Sequence, residues 1–313
     1  MKYYMAPLEG ITTYIFRQVY NRHFERFDKY FTPFLASTKL TSREKQEILP
    51  ENNQGITLVP QILANNPDTF LGIARQLADY GYRTVNLNLG CPSGTVVAKK
   101  RGAGQLGDIC RLRDFLDEIF EKCPLTISVK TRIGLESMEE WDALIELYSD
   151  YKLEELIIHP RLREEYYSGK PHVDAVSKAI KHGLGYPVCY NGDILSKDDL
   201  QRVVAFLTDI PDYNIMIGRG VLRNPFLLSQ IKGLDSHDDS DSESLIRDFL
   251  IDLAESYAQA YGKGQDRNVL FKQKDIWNYL GLEVEGHDKE IKMIRKTESV
   301  AEYCSLVKRI YHG

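Results

Sequence analysis

Over roughly its first 230 residues the chain alternates short apolar runs with longer stretches whose apolar positions recur every three or four residues. The short runs predict strands at Tyr3–Ala6, Tyr30–Phe34, Ile56–Gln61, Thr84–Asn88, Thr126–Lys130, Leu156–His159, Val188–Asn191 and Asn214–Ile217. The longer ones predict helices at Pro67–Tyr80, Leu112–Lys122, Ser137–Tyr148, Val173–His182 and Ser196–Leu207. Pro67 followed by Asp68 is a favourable helix start, because the fixed φ of proline suits the first helical position and the acid complements the exposed amides.

Strands alternating with helices imply a parallel sheet, and this number of strands predicts closure into a (β/α)8 TIM barrel. An open doubly wound sheet is the competitor, but no GxGxxG follows the first strand. Polar residues instead recur at many strand ends: Gln61, Asn88, Lys130, His159, Asn191 and Gly218. A closed ring aims all of these ends at one centre. The segment Leu234–Ser244, with Asp235, Asp238, Asp239, Asp241 and Glu243 and no Lys or Arg, predicts an exposed connection. Beyond it Leu245, Phe249, Leu253 and Tyr257 recur every fourth position, and further helices are predicted at Val269–Leu280 and Lys289–Ile310. The expected organisation is a barrel over residues 1–240 followed by a helical domain over 241–313.

With 313 residues, 43% of them hydrophobic, the chain can bury one large core and a satellite domain. Its five cysteines, at 91, 110, 123, 189 and 304, show no paired spacing, which argues against a disulfide framework and for a reducing compartment. Neither a signal peptide nor a transmembrane span is evident, so a soluble cytoplasmic protein is expected. The formal net charge of −5 does not favour a polyanionic partner, but phosphate binding needs only a local positive field. Such clusters occur at Lys99-Lys100-Arg101, at Arg161 with Arg163, and at Lys272 with Lys274.

Candidate chemistry gathers where the strands end. Cys91 follows Val85-Asn86-Leu87-Asn88-Leu89-Gly90, so an apolar strand delivers a thiol to a Gly/Pro turn beside two amide side chains. In a barrel enzyme that strand end faces substrate. Lys130 closes one strand and His159 the next, and a shared acceptor accounts for both better than a metal does, since no carboxylate or second histidine has ligand spacing around them. Asn191-Gly192-Asp193 and Gly218-Arg219-Gly220 close the last two strands, where barrels commonly bind a phosphate; Asn224-Pro225-Phe226 is the expected start of the accompanying short helix. A ligand with a phosphate tail there and a polar head near the third, fifth and sixth strand ends matches flavin mononucleotide, FMN.

These runs, taken in order, resemble the tRNA-dihydrouridine synthase family of FMN-dependent bacterial enzymes. The matching segments are Met5-Ala6-Pro7-Leu8-Glu9-Gly10-Ile11-Thr12 with Phe16-Arg17, Gln61, Asn86 through Pro92, Val129-Lys130-Thr131-Arg132, His159 with Arg161, Asn191-Gly192-Asp193-Ile194, and Met216 through Gly220 with Asn224-Pro225. The resemblance implies a flavin-dependent oxidoreductase acting on CH–CH groups, a TIM barrel followed by a helical tRNA-binding domain. It implies reduction of the C5–C6 double bond of D-loop uridines in tRNA, with NADPH as transient reductant. Carried onto this chain, Ala6, Pro7, Gln61, Lys130, His159, Asn191, Asp193, Gly218 and Arg219 would hold the flavin, Cys91 would donate the proton, and Asn88 would read the uracil edge. Arg132 and Arg161 would lie near the substrate nucleotide or cofactor, and Lys272 and Lys274 on a tRNA-facing helix. A monomer is expected. Two departures fall near the expected RNA path: Gly94 stands where a lysine is common, and Pro160 where a glycine is usual. The alternatives are an FMN barrel reducing a free pyrimidine or other enone-like molecule, and a non-catalytic RNA-binding protein. The first leaves the helical appendage unexplained, and the second leaves Cys91, Lys130 and the phosphate loop unexplained.

Overall fold

The computed structural model describes residues 1–209, 212–234 and 239–311, with the side chains of 239 and 240 left out. In chain order, β1 (Tyr3–Met5) leads to α1 (Tyr14–His23), β2 (Lys29–Phe31) to α2 (Ser42–Ile48), and β3 (Leu58–Val59) with β4 (Gln61–Ile62) to α3 (Pro67–Asp79). Next come β5 (Thr84–Leu89) with α4 (Gly94–Val97) and α5 (Ile109–Lys122), then β6 (Thr126–Arg132) with α6 (Glu140–Ser149). They are followed by β7 (Leu156–His159) with α7 (Val173–His182), β8 (Val188–Tyr190) with α8 (Lys197–Phe206), and β9 (Tyr213–Ile217) with α9 (Arg219–Arg223) and α10 (Leu227–Lys232). Four helices follow: α11 (Asp239–Tyr261), α12 (Asp266–Leu280), α13 (Asp288–Ile294) and α14 (Val300–Ile310).

All strand pairs are parallel, in the order β3-β2-β1-β9-β8-β7-β6-β5-β4. The two ends of that order, β3 and β4, are separated in the chain by Pro60 alone, so together they act as one interrupted strand and bring the sheet round into a barrel. The sequence predicts an unbroken strand over Ile56–Gln61. Proline has no N–H to give a ladder, and the strand changes neighbour across it, pairing with β2 before and β5 after. Thr32 Oγ1 accepts from the Gln61 amide at 2.9 Å, and the Pro60 carbonyl accepts from Asn86 N at 2.8 Å.

Alternate residues on the strands fill the barrel: Tyr4, Ala6, Phe31, Val59, Ile157, Cys189 and Met216 form one buried cluster. At the strands' amino-terminal ends the buried Glu155 carboxylate accepts from the Tyr4 hydroxyl at 2.9 Å and the Asn214 amide at 2.6 Å, with Lys29 Nζ at 3.5 Å. Burial and the Glu155 charge push the Tyr4 phenol far above its ordinary range. These groups are engaged with one another, and a barrel places its chemistry at the opposite, carboxy-terminal end of the strands.

The chain divides into two compact units, residues 1–7, 28–193 and 198–217, and residues 8–27, 194–197 and 218–313. The first holds the whole sheet. The second holds α11–α14 together with α1, α9 and α10. Within it, Thr13 caps α1 by accepting from Phe16 N, and the apolar face of that helix meets α11: Phe249 lies 6.0 Å from the Phe16 ring, 6.4 Å from Tyr20 and 5.0 Å from Phe24. Asp252 takes both Arg22 and His23 at 2.9 Å. Trp277 Nε1 donates to the Tyr303 hydroxyl, which donates to Gln273 Oε1, each at 3.1 Å, tying α12 to α14.

Two further segments differ from expectation. Of the acidic connection Leu234–Ser244, residues 235–238 lie outside the described residues, and from Asp239 the chain is already helical. The single helix expected over Lys289–Ile310 is two, because Ser299 caps α14 by accepting from Glu302 N while Thr297 Oγ1 donates to Glu302 at 2.7 Å.

Candidate active site

In the first unit, the carboxy-terminal strand ends carry Ala6, Gln61, Asn88, Lys130, Arg132, His159 and Asn191, with Pro7, Cys91, Arg161 and Asp193 one to three residues beyond a strand. All these expected site residues therefore share one end of one sheet. Asn88, Lys130 and Ile157 are neighbours in register across β5, β6 and β7, and Arg132 pairs with His159.

The Cys91 turn is held from two sides. Asn88 Oδ1 accepts from Gly90 N at 3.0 Å and Cys91 N at 2.9 Å, an Asx turn that fixes the thiol-bearing residue at the strand end. Asn88 Nδ2 donates to Gln61 Oε1 at 2.8 Å, Gln61 Nε2 to Asn86 Oδ1 at 2.7 Å, and Asn86 Nδ2 to Ser128 Oγ at 2.8 Å. This run of buried amides crosses β4, β5 and β6 and locks each rotamer. On the other side Arg132 Nε donates to the Gly90 carbonyl at 3.1 Å. Its remaining nitrogens donate to Leu162 O at 2.7 Å and Tyr166 O at 2.6 Å, and its guanidinium lies 5.6 Å from the Tyr167 ring centre. Arg132 is fully buried, which lowers its pKa to about 10.

Arg161 is equally buried. It donates to Ser168 O, Gly169 O at 2.7 Å, His159 Nε2 at 3.3 Å and Asp193 Oδ2 at 2.6 Å. A guanidinium can only donate, so His159 accepts at Nε2 and carries its ring proton on Nδ1. The two arginines thus brace the loop after β7 through four of its carbonyls, those of Leu162, Tyr166, Ser168 and Gly169. The resemblance sets these arginines near substrate or cofactor; in the structure they donate to the protein's own backbone, His159 and Asp193.

Lys130 is different. Half-buried on β6, it makes no hydrogen bond or ion pair among the described residues. Desolvation, and after it the Arg132 charge, lowers its pKa to about 8. A strand-end cation without a counter-charge fits an anionic or acceptor-rich ligand. Asn191, also buried, donates to Met216 O at 2.9 Å, and a side chain on Gly192 would collide with the Tyr190 hydroxyl.

The second unit holds Gly218, Arg219, Lys272 and Lys274. The short helix expected from Asn224-Pro225-Phe226 is α10, which starts at Leu227 after Phe226, and a further short helix, α9, begins at Arg219 directly after Gly218. Gly220 is required by packing, since a Cβ there would meet the Ile194 carbonyl, which accounts for half of the Gly-Arg-Gly pattern without any ligand. Lys272 Nζ donates to Gly10 O at 2.6 Å and Lys274 Nζ to Thr297 O at 3.0 Å, both within this unit. The sequence places Asn86 beside Cys91 without assigning it a role, although its two-residue spacing from Asn88 puts both on one face of β5. Tyr167 goes unmarked in the sequence: its ring lies 5.9 Å from His159, but its loop position carries no periodic signal.

No helix of the described residues is long and apolar enough to cross a membrane. A family model described as Dihydrouridine synthase (Dus) matches residues 4–298. The tRNA-dihydrouridine synthase B of Pasteurella multocida is 27% identical over 75% of this chain and 70% of its own length. A probable tRNA-dihydrouridine synthase of Staphylococcus aureus strain Mu50 is 26% identical over 97% and 91%, and that of strain MRSA252 is 30% identical over 71% and 69%. Among solved structures, a complex of 2-naphthoyl-CoA reductase aligns with a TM-score of 0.51 at 12% identity, covering 74% of this chain and 50% of that one, a likeness of fold. A match running through nearly every strand end described above leaves one conclusion: the chain belongs to the dihydrouridine synthase family and is a flavin-dependent oxidoreductase.

Proposed function

We propose that this protein reduces the C5–C6 double bond of a D-loop uridine in tRNA, using FMN and taking its electrons from NADPH, as a cytoplasmic monomer. The observation that supports this most is the Cys91 turn, a thiol fixed by Asn88 and Arg132 at the same sheet end as the uncompensated Lys130. Ala6, Pro7, Gln61, Lys130, His159, Asn191 and Asp193 would hold the flavin, with Gly218 and Arg219 taking its phosphate. When bound, FMN supplies hydride to C6 of the uracil. The chain's own part is then to deliver a proton to C5, and a thiol suits that task because its ordinary pKa of about 8.5 keeps it protonated near neutrality. Lys130 would stabilise negative charge at the pyrimidine end of the flavin. The amide of Asn88 has one hydrogen beyond those described, enough for a contact to the uracil edge. Base reduction requires the uridine to leave the RNA stack. Residues 241–313 would hold the folded RNA, with Lys272 and Lys274 contributing; an ammonium has three N–H donors, so one carbonyl contact does not exhaust it.

Position-resolved mass spectrometry of uridine-containing tRNA, after incubation with the protein and NADPH, tests this reading. A gain of two hydrogens at one uridine is expected. Reduced flavin with no change in the RNA would transfer the assignment to a free pyrimidine or another small enone-like acceptor.

Lys130 gives a pH signature. With its pKa lowered to about 8 in the free protein, raising the pH from there removes the charge that an anionic ligand needs. Bound FMN would restore that charge, so its affinity should fall by up to about tenfold per pH unit above pH 8. Fluorescence titration between pH 7 and 9.5 should give this slope in the wild type and a flat, weaker profile in Lys130→Met. A flat wild-type profile would remove Lys130 from the anion's contacts.

A further inference from the structure

Between Cys91 and α5 the first unit carries three consecutive cations, Lys99, Lys100 and Arg101, the first two exposed. None of them makes an ion pair among the described residues, in a chain whose 45 acidic residues outnumber its 40 lysines and arginines. An unpaired run of this kind is often just a solvated surface. Its backbone argues otherwise, because it is fixed to the Cys91 turn at several points. Ala103 N donates to the Cys91 carbonyl at 3.1 Å. Gly102, at φ +55°, approaches so closely that a Cβ would stand 2.9 Å from the Cys91 carbonyl oxygen and 3.0 Å from Cys91 Cβ. A Cβ on Gly104 would stand 2.9 Å from Val97 O, and Asn65 Nδ2 donates to Lys99 O at 2.9 Å.

The end of α4 supplies a second observation. Arg101 N donates to Val96 O at 3.1 Å and Lys100 N to Val97 O at 2.8 Å, the paired bonds of a Schellman ending, with Lys100 at the left-handed position, φ +52°. Glycine is the residue that takes this position without strain. A lysine held there is locally unfavourable, and among the described residues its ammonium has no partner to offset the strain. A function at the exposed end of the side chain accounts for both facts.

We propose that Lys99–Lys100–Arg101 is a phosphate clamp that grips the RNA backbone next to the uridine presented to Cys91. The proposal rests on the tRNA reading above and names the barrel-side contact that reading leaves open. Two considerations support it. A polyanion approaching a net-negative protein needs a local positive field, and these three cations form no ion pair among the described residues. The segment that follows these cations is tied to the turn that carries the thiol, by the Ala103 hydrogen bond and the close approach of Gly102, so a phosphate bound here sets the distance between backbone and proton donor.

Lys99→Gln with Lys100→Gln, and Lys100→Gly alone, test the clamp through tRNA affinity as a function of salt, with thermal melting in parallel. The double variant should bind about tenfold more weakly at low salt. Its dependence of log affinity on log salt should be shallower by about 1.4, at about 0.7 per phosphate released from a single strand. Lys100→Gly separates charge from fold: it relieves the left-handed strain and should melt higher while binding tRNA more weakly. Wild-type affinity and salt slope in both variants, with the wild type reducing tRNA, would overturn the clamp alone. A wild-type protein that neither binds nor reduces tRNA would overturn the tRNA reading and the clamp with it.

Discussion

Cys91→Ala should keep its flavin and its reduction by NADPH while uridine reduction falls by about 10²- to 10⁴-fold, the range for loss of a positioned general acid. The structure makes this substitution a clean one. What Asn88 holds is the backbone N–H of residue 91, which alanine retains, and what Gly102 packs against is the carbonyl and Cβ, which alanine also retains. The turn therefore survives and only the sulfur is lost. Single-turnover reduction of tRNA by pre-reduced enzyme reads the chemical step directly. A rate within a fewfold of wild type would show that the C5 proton comes from elsewhere, water included.

Arg132→Met should be the most damaging change outside the thiol. Methionine fills similar space but gives nothing to the carbonyls of Gly90, Leu162 and Tyr166. Hydrogen bonds from a charged donor contribute about 1.5–3 kcal/mol each, and relief of the buried charge offsets part of their loss, leaving a net destabilisation of about 3 kcal/mol. The functional effect is distinct from stability. With the Gly90 carbonyl untethered the thiol loses its placement, and a displacement of about 1 Å can lower a rate by about 10²-fold. If Arg132 acts only through that turn, single-turnover rate falls while tRNA affinity and its salt dependence hold. If instead its guanidinium reaches an RNA phosphate, affinity and salt slope fall together. Arg132→Lys should recover little, because an ammonium cannot span three carbonyls in a plane.

The barrel was legible because its strands are bounded by sharp changes of period. Leu156–His159 and Val173–His182 coincide with the predicted bounds, and β5 and β6 extend one and two residues further than predicted. Pro60 could have announced the broken strand, since a proline inside a predicted central strand argues against continuity. α1 went unpredicted, although Thr13 is a cap residue and Ile15, Phe16, Val19 and Tyr20 fall on one helical face. In the site, residue types at strand ends were readable because alternation dictates which positions face inward. The direction of each donor was not. Asn88, Arg132 and Arg161 are polar strand-end residues whichever way their hydrogen bonds run, and only coordinates distinguish an arginine that meets a ligand from one that braces a loop. The same holds for Gly220, whose need for a missing side chain comes from Ile194, a partner distant in sequence.

The second compact unit begins at Leu8, gives way to the first at Asp28 and, apart from residues 194–197, resumes only at Gly218. Its helices cannot be cut out as one carboxy-terminal piece: a fragment starting at residue 241 would leave Phe249 without Phe16, Tyr20 and Phe24, and Asp252 without Arg22 and His23. Exchange of substrate preference between relatives by recombination at a single downstream junction would therefore separate halves of one aromatic core. A viable chimera has to bring the segment 8–27 from the same parent, so the modularity of this chain is that of paired segments, with co-inheritance enforced by packing.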